Sequence, residues 1–249
     1  MEDLSGTTAL VTGASRGLGR GIAAALSAAG AHVVAVARDG SRLAELPAQL
    51  GGSITPVTAD AADPVVAGQL IDAHRPDILV LNAGAAPLTR SLRNQTWQTF
   101  SRNWEVDVQH VFHWTREALL LPLSPGSVVI TMSSGAALRG SPLSGGYAGA
   151  KATVGFISSY AADESARGGL GIRFISLLPQ LTPATDLGAA AVAAYAARAG
   201  LDTAVYIKQL GPVLTPEQAG RSVLELATGA SPDHGAFLLT GGGLTPITD

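Results

Sequence analysis

The sequence predicts a doubly wound α/β fold, in which helices cover both faces of a parallel β-sheet. Three observations support this prediction: apolar β-type runs alternate with helix-length segments, the runs are apolar throughout, and a glycine-rich turn follows the first run directly. Strands that are apolar on both sides belong to sheets buried on both faces. Because no Pro/Gly/Ser-rich linker or change of composition divides the chain, we expect one domain over residues 1–249.

The predicted elements alternate in order along the chain. Strands are expected at Thr7–Val11, His32–Val36, Ile54–Thr58, Asp77–Leu81, Val128–Met132, Ile172–Leu178 and Ala236–Leu239. Helices are expected at Leu18–Ala29, Ser41–Leu50, Pro64–Ala73, Thr96–Leu120, Tyr147–Arg167 and Pro216–Ala227. An alanine-rich stretch between Pro179 and Pro216 interrupts the alternation near the carboxyl end of a strand, where such sheets bind ligands. It predicts a small helical lid near residues 184–212, the alternative being a surface helix pair with no role in binding.

Composition excludes several classes of protein. Hydrophobic residues make up 47% of the chain, which is enough to bury a sizeable core, and the formal net charge of −3 without a Lys/Arg run argues against a nucleic-acid partner. The absence of cysteine excludes disulfides and thiolate nucleophiles. The first residues do not resemble a secretory signal, and the longest apolar stretch, Leu187–Ala197, is shorter than the roughly 20 residues that span a bilayer. We therefore expect a cytoplasmic protein without a membrane partner.

The glycine-rich turn after the first strand is a candidate phosphate site. Its spacing is G-x-x-x-G-x-G, and a helix begins within it. Glycines permit a sharp turn and a close approach of the backbone to a pyrophosphate, whose charge is favoured by the free N–H groups of the helix. The residues expected to bind a dinucleotide here are Gly13, Ser15, Arg16, Gly17, Leu18 and Gly19. The alternative interpretation is that these glycines only allow a tight turn and bind no phosphate.

The end of the second strand indicates which dinucleotide is bound. NAD sites usually carry an acidic residue at this point, which accepts a hydrogen bond from the ribose 2′-hydroxyl. Here Arg38 follows Ala37, and Arg16 in the glycine turn adds a second guanidinium that could reach a 2′-phosphate. The sequence thus predicts NADP(H) as the cofactor, although a solvated arginine at a strand end would look the same.

Tyr147 and Lys151 form the most informative pair in the chain. They stand at i and i+4 of a predicted helix, so they share one face. With only four Tyr and two Lys in 249 residues, the number of such pairs expected by chance is roughly 0.03. A cation beside a phenol favours the phenolate and brings it within range for proton transfer.

With Ser134 thirteen residues before Tyr147, these motifs resemble the short-chain dehydrogenase/reductase family in its ordinary single-domain, Rossmann-type form. The resemblance implies that Tyr147 is the general acid/base, that Ser134 polarises a substrate carbonyl, and that Lys151 stabilises the phenolate and binds the nicotinamide ribose. It implies direct hydride transfer that interconverts a ketone and a secondary alcohol. It also assigns cofactor contacts to Asp60, Ala61, Asn82, Ala83, Gly84, Tyr147, Lys151, Pro179 and Thr182.

The chain departs from the family pattern at its fourth catalytic position, where Asp107 replaces the usual Asn. An ionised carboxylate about 6 Å from Lys151 would interact with it by roughly 3 kcal/mol, enough to alter the proton relay. Gln180 stands where the family usually has Gly after Pro179, and its Cβ confines the backbone of the nicotinamide loop to fewer conformations. The alternatives left open are a cofactor-binding sensor or scaffold with impaired catalysis, and a lyase or isomerase that uses Tyr147 for proton transfer.

The small-molecule substrate and the oligomeric state are less determined. The residues expected to contact substrate are Ser134, Arg139, Leu143, Tyr147 and Leu181, with Ala85, Ser141 and the Leu187–Ala197 segment as further pocket positions. These residues are mostly small or apolar, while Arg139 leaves room for an anionic group. His110 and His113 lack a third ligand at suitable spacing, so no metal site is expected. The resemblance implies a homotetramer, or a homodimer, paired through the Thr96–Leu120 and Tyr147–Arg167 helices.

Overall fold

The computed structural model of the protein describes residues 3–229 and 235–248. Its centre is an eight-stranded sheet of order β3-β2-β1-β4-β5-β6-β7-β8, parallel except for the β7–β8 pair. The strands are β1 (Thr8–Thr12), β2 (His32–Ala37), β3 (Ile54–Thr58), β4 (Ile78–Leu81), β5 (Val128–Met132), β6 (Arg173–Pro179), β7 (Ala236–Thr240) and β8 (Gly243–Pro246). The predicted doubly wound sheet is therefore confirmed.

Helices cover both faces of this sheet. The helices are α1 (Gly17–Ala28), α2 (Gly40–Leu50), α3 (Pro64–His74), α4 (Trp97–Asn103), α5 (Gln109–Leu120), α6 (Ala136–Arg139), α7 (Tyr147–Gly168), α8 (Asp186–Ala199), α9 (Thr203–Gln209) and α10 (Pro216–Thr228). A 3₁₀ turn at Leu92–Asn94 precedes α4. Helices α8 and α9 occupy the segment expected to be a helical lid. Among the described residues, no helix is both long enough and apolar enough to cross a membrane.

Two apolar cores lie on opposite faces of the sheet because consecutive strand residues point to opposite sides. Val11 packs in the core beneath α1 and α10, whereas its neighbour Leu10 packs in the core with α3 and α5. Helices α1 and α10 touch so closely that a Cβ on Gly21 would collide with the carbonyl of Pro216. The uninterrupted apolar strands follow from this double coverage.

The strand order reverses between β1 and β4. The helices that follow these two strands leave the sheet on opposite faces, which opens a crevice beyond their carboxyl ends. Asn82, directly after β4, donates from Nδ2 to the carbonyl oxygens of Thr12 (3.1 Å) and Gly13 (3.3 Å). This side chain ties the two diverging strands together at the edge where the site forms.

The structure differs from the sequence prediction in several places, and the short helix α6 and the 3₁₀ turn before α4 are among the elements that were not predicted. The expected helix Thr96–Leu120 is interrupted by a π-helical segment at Trp104–Val108, which lies between α4 and α5 and contains Asp107. Such wide turns often occur at functional sites, and the apolar periodicity continues through them, so the sequence pattern did not reveal the break. The short antiparallel β8 was also not predicted, because two of its four residues are half-buried, the other two are exposed, and it has no apolar run.

Candidate active site

A cavity of about 1220 Å³ runs along the carboxyl ends of the strands and beneath α8 and α9. It brings together the sequence-predicted cofactor residues, which lie up to 169 positions apart in the chain. Those lining it are Gly13, Ser15, Arg16, Gly17, Leu18, Gly19, Arg38, Asp60, Ala61, Asn82, Ala83, Gly84, Tyr147, Lys151, Pro179 and Thr182. Ser134 and Asp107 line the same cavity.

The glycine turn has the geometry that a phosphate requires. Gly13 has φ +68° and Gly17 has φ +56°, backbone conformations that residues other than glycine rarely adopt. A Cβ on Gly13 would lie 2.8 Å from Asn82 Nδ2, so the turn also has no room for one. Among the described residues, no side chain caps the amino end of α1, and its first turn has no acidic residue. The N–H groups and positive dipole end of α1 therefore face the cavity and fit a pyrophosphate.

Each arginine proposed for a 2′-phosphate has an acidic neighbour. Arg38 lies 3.9 Å from Asp60, and Arg16 lies 3.5 Å from Asp186 at the start of α8. All four side chains are more than half exposed, so both contacts are weak and screened by solvent. The carboxylate of Asp39, next to Arg38, instead accepts the backbone N–H of Arg42 and caps α2. The guanidinium of Arg38 is thus the charge presented at the end of β2.

Tyr147 and Lys151 are placed by the first turn of α7. The Lys151 ammonium lies 5.8 Å from the centroid of the Tyr147 ring. Its Nζ donates to the carbonyl oxygen of Met132 at the end of β5 (2.9 Å), and Ser133 Oγ donates to the Lys151 carbonyl (2.7 Å). Ser134 follows on the same strand end, where its Oγ accepts the N–H of Ala136 (3.2 Å). Strand β5 and helix α7 therefore hold the three predicted catalytic side chains against one wall of the cavity.

Asp107 contacts Lys151 directly, nearer than the 6 Å expected. Its Oδ2 lies 3.3 Å from Lys151 Nζ, and the side chains of Lys151 and Asp107 are only 7% and 1% exposed. Asp107 Oδ1 accepts the backbone N–H of Ala85 (2.7 Å). Burial acts to lower the pKa of Lys151, but the charges of Asp107 and Tyr147 outweigh it and raise that pKa above its ordinary value. The lysine is therefore held as an ammonium inside the site.

His110 is a further buried group of the site. It lies one turn after Asp107 and is fully buried, with Nε2 3.1 Å from Thr12 Oγ1. Burial lowers the pKa of His110 to about 3, and the nearby Lys151 charge acts in the same direction. The imidazole is therefore neutral at pH 7 and supports the end of β1. From the sequence, a packed or interface pair is the preferred interpretation of His110 and His113 over a metal pair, but the partner of His110 could not be predicted, because its contact with Thr12 joins residues 98 positions apart.

The lid and the loop before α7 form the substrate end of the cavity. Arg139, Leu181, Ala85 and Ser141 line it, together with Tyr195 of α8. The Tyr195 hydroxyl shares a short hydrogen bond with Ser141 Oγ and accepts the N–H of Leu143 (3.3 Å). Leu143 itself is buried behind this contact and is not among the described residues that line the cavity. Tyr195 lies in the Leu187–Ala197 segment that was expected to line the pocket, but its contact with Ser141 was not predicted, because an alanine-rich helix with weak amphipathicity does not indicate which face covers the site.

Two side chains tie the chain entering the lid to the chain leaving it. Gln180 Nε2 donates to the carbonyl of Pro212 (2.6 Å), and Thr182 Oγ1 donates to the carbonyl of Leu214 (2.5 Å). Thr182 is buried by this contact. Gln180, which departs from the family pattern, thus has a definite structural partner in this chain.

Comparison with known proteins gives the family. The model of the short chain dehydrogenase family matches residues 7–196. An uncharacterized short-chain type dehydrogenase/reductase of Sinorhizobium fredii, y4eK, is 35% identical over 173 residues, which cover 69% of this chain and 68% of that protein. The 3-oxoacyl-(acyl-carrier-protein) reductase of Synechocystis is 34% identical over 181 residues, or 68% of this chain and 72% of that protein. L-xylulose reductase of Mesocricetus auratus is 34% identical over 139 residues, which are 55% of this chain and 56% of the reductase.

Solved structures agree over nearly the whole chain. The 3-ketoacyl-(acyl-carrier-protein) reductase of Brucella melitensis, complexed with NADH, has a TM-score of 0.79 and 26% identity, covering 96% of this chain and 99% of that one. A putative NAD(P)-dependent gluconate 5-dehydrogenase of Beutenbergia cavernae, with bound NADP, has a TM-score of 0.78 and 28% identity, covering 96% and 97%. With the predicted catalytic residues and the glycine turn on one cavity, these matches lead to one conclusion: the chain belongs to the short-chain dehydrogenase family of oxidoreductases.

Proposed function

We propose that this protein is an NADP(H)-dependent oxidoreductase that interconverts a ketone and a secondary alcohol. The observation that carries this proposal is the convergence of Ser134, Tyr147 and Lys151 on the cavity that also contains the glycine turn. A phenol beside an ammonium can protonate a carbonyl oxygen, and a nearby hydroxyl can stabilise the charge that develops on that oxygen. The relatives named as reductases support the same class of reaction.

The roles of the side chains follow from their chemistry. When bound, NADP(H) supplies or takes up the hydride at the carbonyl carbon. Tyr147 donates its hydroxyl proton to the carbonyl oxygen during reduction, and its phenolate accepts that proton during oxidation. Ser134 Oγ donates a hydrogen bond to the developing oxyanion. Lys151, held by Met132, stabilises the phenolate after the proton has left.

The preference for NADP(H) rests on the end of β2. Arg38 presents an exposed guanidinium there, while the neighbouring Asp39 carboxylate caps α2. Arg16 supplies a second guanidinium from the glycine turn. Charge-assisted bonds between guanidinium groups and a phosphate dianion are strong and bidentate, so both arginines favour the phosphorylated cofactor. Gly13, Gly17 and Asn82 would hold the pyrophosphate end, and Lys151 with Thr182 the nicotinamide end.

The test is to measure NADPH and NADH oxidation with a panel of ketones. We expect turnover with NADPH, and we expect Arg38→Ala to raise the NADPH KM about tenfold while the NADH KM changes little, because one charge-assisted contact is lost. Arg102→Ala, which removes an exposed arginine away from the cavity, is the matched control and should leave both constants unchanged. Tight NADPH binding without oxidation on any ketone would instead favour the sensor or scaffold alternative. Proton transfer on a substrate without net NADPH oxidation would favour a lyase or isomerase.

We also propose a homo-oligomer, a dimer or a tetramer, formed by this single catalytic domain. Large apolar side chains are exposed on α4 and α5 and on α7, which contacts both of these helices. They are Trp97 (78% exposed), Phe112 (48%), Phe156 (59%) and Tyr160 (64%). Exposed aromatic side chains grouped in this way are typical of subunit interfaces. Light scattering of the purified protein tests this proposal, and a monomer at micromolar concentration would contradict it.

A further inference from the structure

The buried carboxylate of Asp107 sets the charge balance of the catalytic centre. We propose that Asp107 is a positioning residue that neutralises Lys151 and so keeps Tyr147 protonated, which suits the reduction of a carbonyl better than the oxidation of an alcohol. The inference rests on the proposed function, in which Tyr147 exchanges a proton with substrate. It concerns a departure of this chain from its family, since the usual residue at this position is an uncharged Asn.

Three donors converge on the Asp107 side chain. The Ala85 N–H points to Oδ1 at 2.7 Å, while Lys151 Nζ and Asn103 Nδ2 lie 3.3 Å and 3.4 Å from Oδ2. An ionised carboxylate is a pure acceptor, whereas an amide or a protonated carboxyl would turn a donor toward at least one of these groups. The arrangement therefore selects an ionised Asp107.

Asn103 fixes the carboxylate in this position. Its Nδ2 also donates to the carbonyl oxygen of Ala85 (2.7 Å), so the backbone of Ala85 is bonded on both sides. Asn103 is the last residue of α4, and Asp107 lies in the π-helical segment that follows. The two side chains therefore bond the same residue, Ala85. Asn103 is 1% exposed, so water does not compete with these contacts. The wide turn of the helix thus serves to present Asp107 to Lys151.

The charges around Asp107 come from few groups in the described part of the chain. Helix α7 contributes Lys151 and Tyr147, α5 contributes the neutral His110, and the segments after β4 and β5 contribute the backbone of Ala85 and Met132. An unpaired ammonium would strongly favour the Tyr147 phenolate, but an ammonium paired with a buried carboxylate favours it much less. The pair therefore shifts the proton toward the phenol oxygen.

The direction of the reaction follows from where this proton resides. Reduction breaks the Tyr147 O–H bond and forms the O–H bond of the alcohol, while the hydride reduces the carbonyl carbon; the phenolate then regains a proton from solvent. Oxidation requires the phenolate at the start. Asp107 thus supports reduction through neutral and mildly alkaline pH, and it moves alcohol oxidation to higher pH.

The decisive experiment follows phenolate absorbance during an alkaline titration of the cofactor-free protein. Subtracting the curve of Tyr147→Phe isolates Tyr147 from the other tyrosines of the chain, and the same subtraction is made in an Asp107→Asn background. We expect the Tyr147 phenolate to appear about one pH unit lower when Asp107 is replaced by Asn. Identical curves in the two backgrounds would overturn the proposal. Glu105→Gln removes an exposed acid from the same π-helical segment and should not move the curve.

Folding of the variants is checked by circular dichroism, with Asp107→Ala as a second charge-removing variant that must shift the curve in the same direction. If neither variant folds, the unmodified protein decides: ionisation of Tyr147 well below the other tyrosines would contradict a neutralised Lys151. In the active enzyme, we expect Asp107→Asn to lower the pH at which alcohol oxidation begins by the same amount and to weaken reduction above pH 8. Failure of every ketone to react would count against the proposed function alone, because the absorbance titration needs no turnover.

Discussion

The two ends of the cavity hold their charged side chains in opposite ways. At the nucleotide end, formed by β1 and β2, Arg16 and Arg38 have acidic neighbours at 3.5 and 3.9 Å, and all four side chains are more than half exposed. At the catalytic end, formed by β5 and α7, Lys151 and Asp107 lie 3.3 Å apart and are nearly inaccessible to water. Exposed pairs contribute little and exchange partners easily, whereas a buried pair cannot lose one member without leaving a charge unsatisfied. The nucleotide end can thus rearrange around a ligand, while the catalytic end is assembled before a ligand arrives.

The largest effect is expected from removing the Tyr147 hydroxyl. Tyr147→Phe should lower kcat/KM for ketone reduction by about 10³-fold, because it removes the proposed proton donor. The affinity for NADPH, measured by fluorescence titration, should change little. Tyr160→Phe on the exposed face of the same helix is the control and should keep full activity. A loss of less than tenfold in Tyr147→Phe would remove this residue from the mechanism.

Breaking the buried pair should cost stability. Asp107→Leu leaves the Lys151 ammonium buried without its anionic partner, and we expect the free energy of unfolding to fall by about 3–5 kcal/mol in urea denaturation. Adding Lys151→Met should restore most of this loss, because the double variant contains no unpaired buried charge. If the single variant lost less than 1 kcal/mol, the catalytic end would not differ from the nucleotide end in the way described.

Acid should weaken the catalytic end through His110. The pKa of His110 is lowered by burial to about 3 in the folded protein, so the unfolded chain binds the extra proton once the pH falls below 6.5. This group alone should cost about 2 kcal/mol of stability on going from pH 7 to pH 5. Urea denaturation of His110→Gln at both pH values should show a correspondingly smaller loss. The same substitution at His113 serves as the control, and equal acid sensitivity in all three proteins would contradict the prediction.

The smallest effect is expected at the nucleotide end. Asp186→Asn removes the partner of Arg16 and should change the free energy of unfolding by less than about 1 kcal/mol. It should leave NADPH affinity unchanged or slightly increased, since Arg16 is then free for a phosphate. Asp163→Asn breaks an equally exposed pair with Arg167 on α7 and should give the same small change in stability. A loss of several kcal/mol in Asp186→Asn alone would show that this contact fastens the lid.

The sequence allowed the fold and most of the site to be predicted because the relevant signals are local. Apolar runs marked the strands, the spacing of Gly13, Gly17 and Gly19 marked the turn, and Tyr147 with Lys151 marked one helical face. Each of these patterns lies within a few consecutive residues, and over so short a stretch the periodicity of the strand or helix determines which side chains are neighbours.

The features that were missed depend on contacts between distant segments. Asp107 was expected about 6 Å from Lys151 and within one continuous helix, but it lies in a π-helical segment, 3.3 Å from Lys151 Nζ. Asn103 and Tyr195 bond to residues on other elements, Ala85 and Ser141, and no local pattern marks such partners. Leu143 was expected to contact the substrate, but its side chain is buried in the turn before α7.

The contacts of Gln180 with Pro212 and of Thr182 with Leu214 have a consequence for how this chain can diverge. Because of these contacts, the segment of residues 183–211 leaves the sheet and returns to it at adjacent positions. The cost of closing such a loop grows only slowly with its length, so insertions or deletions within it would scarcely affect the stability of the sheet. Residues of this segment that line the cavity can therefore be exchanged while Tyr147 and the strand ends stay in place. Substitutions between these two contacts can thus change which substrate fits, without changing the residues proposed to carry out the reaction.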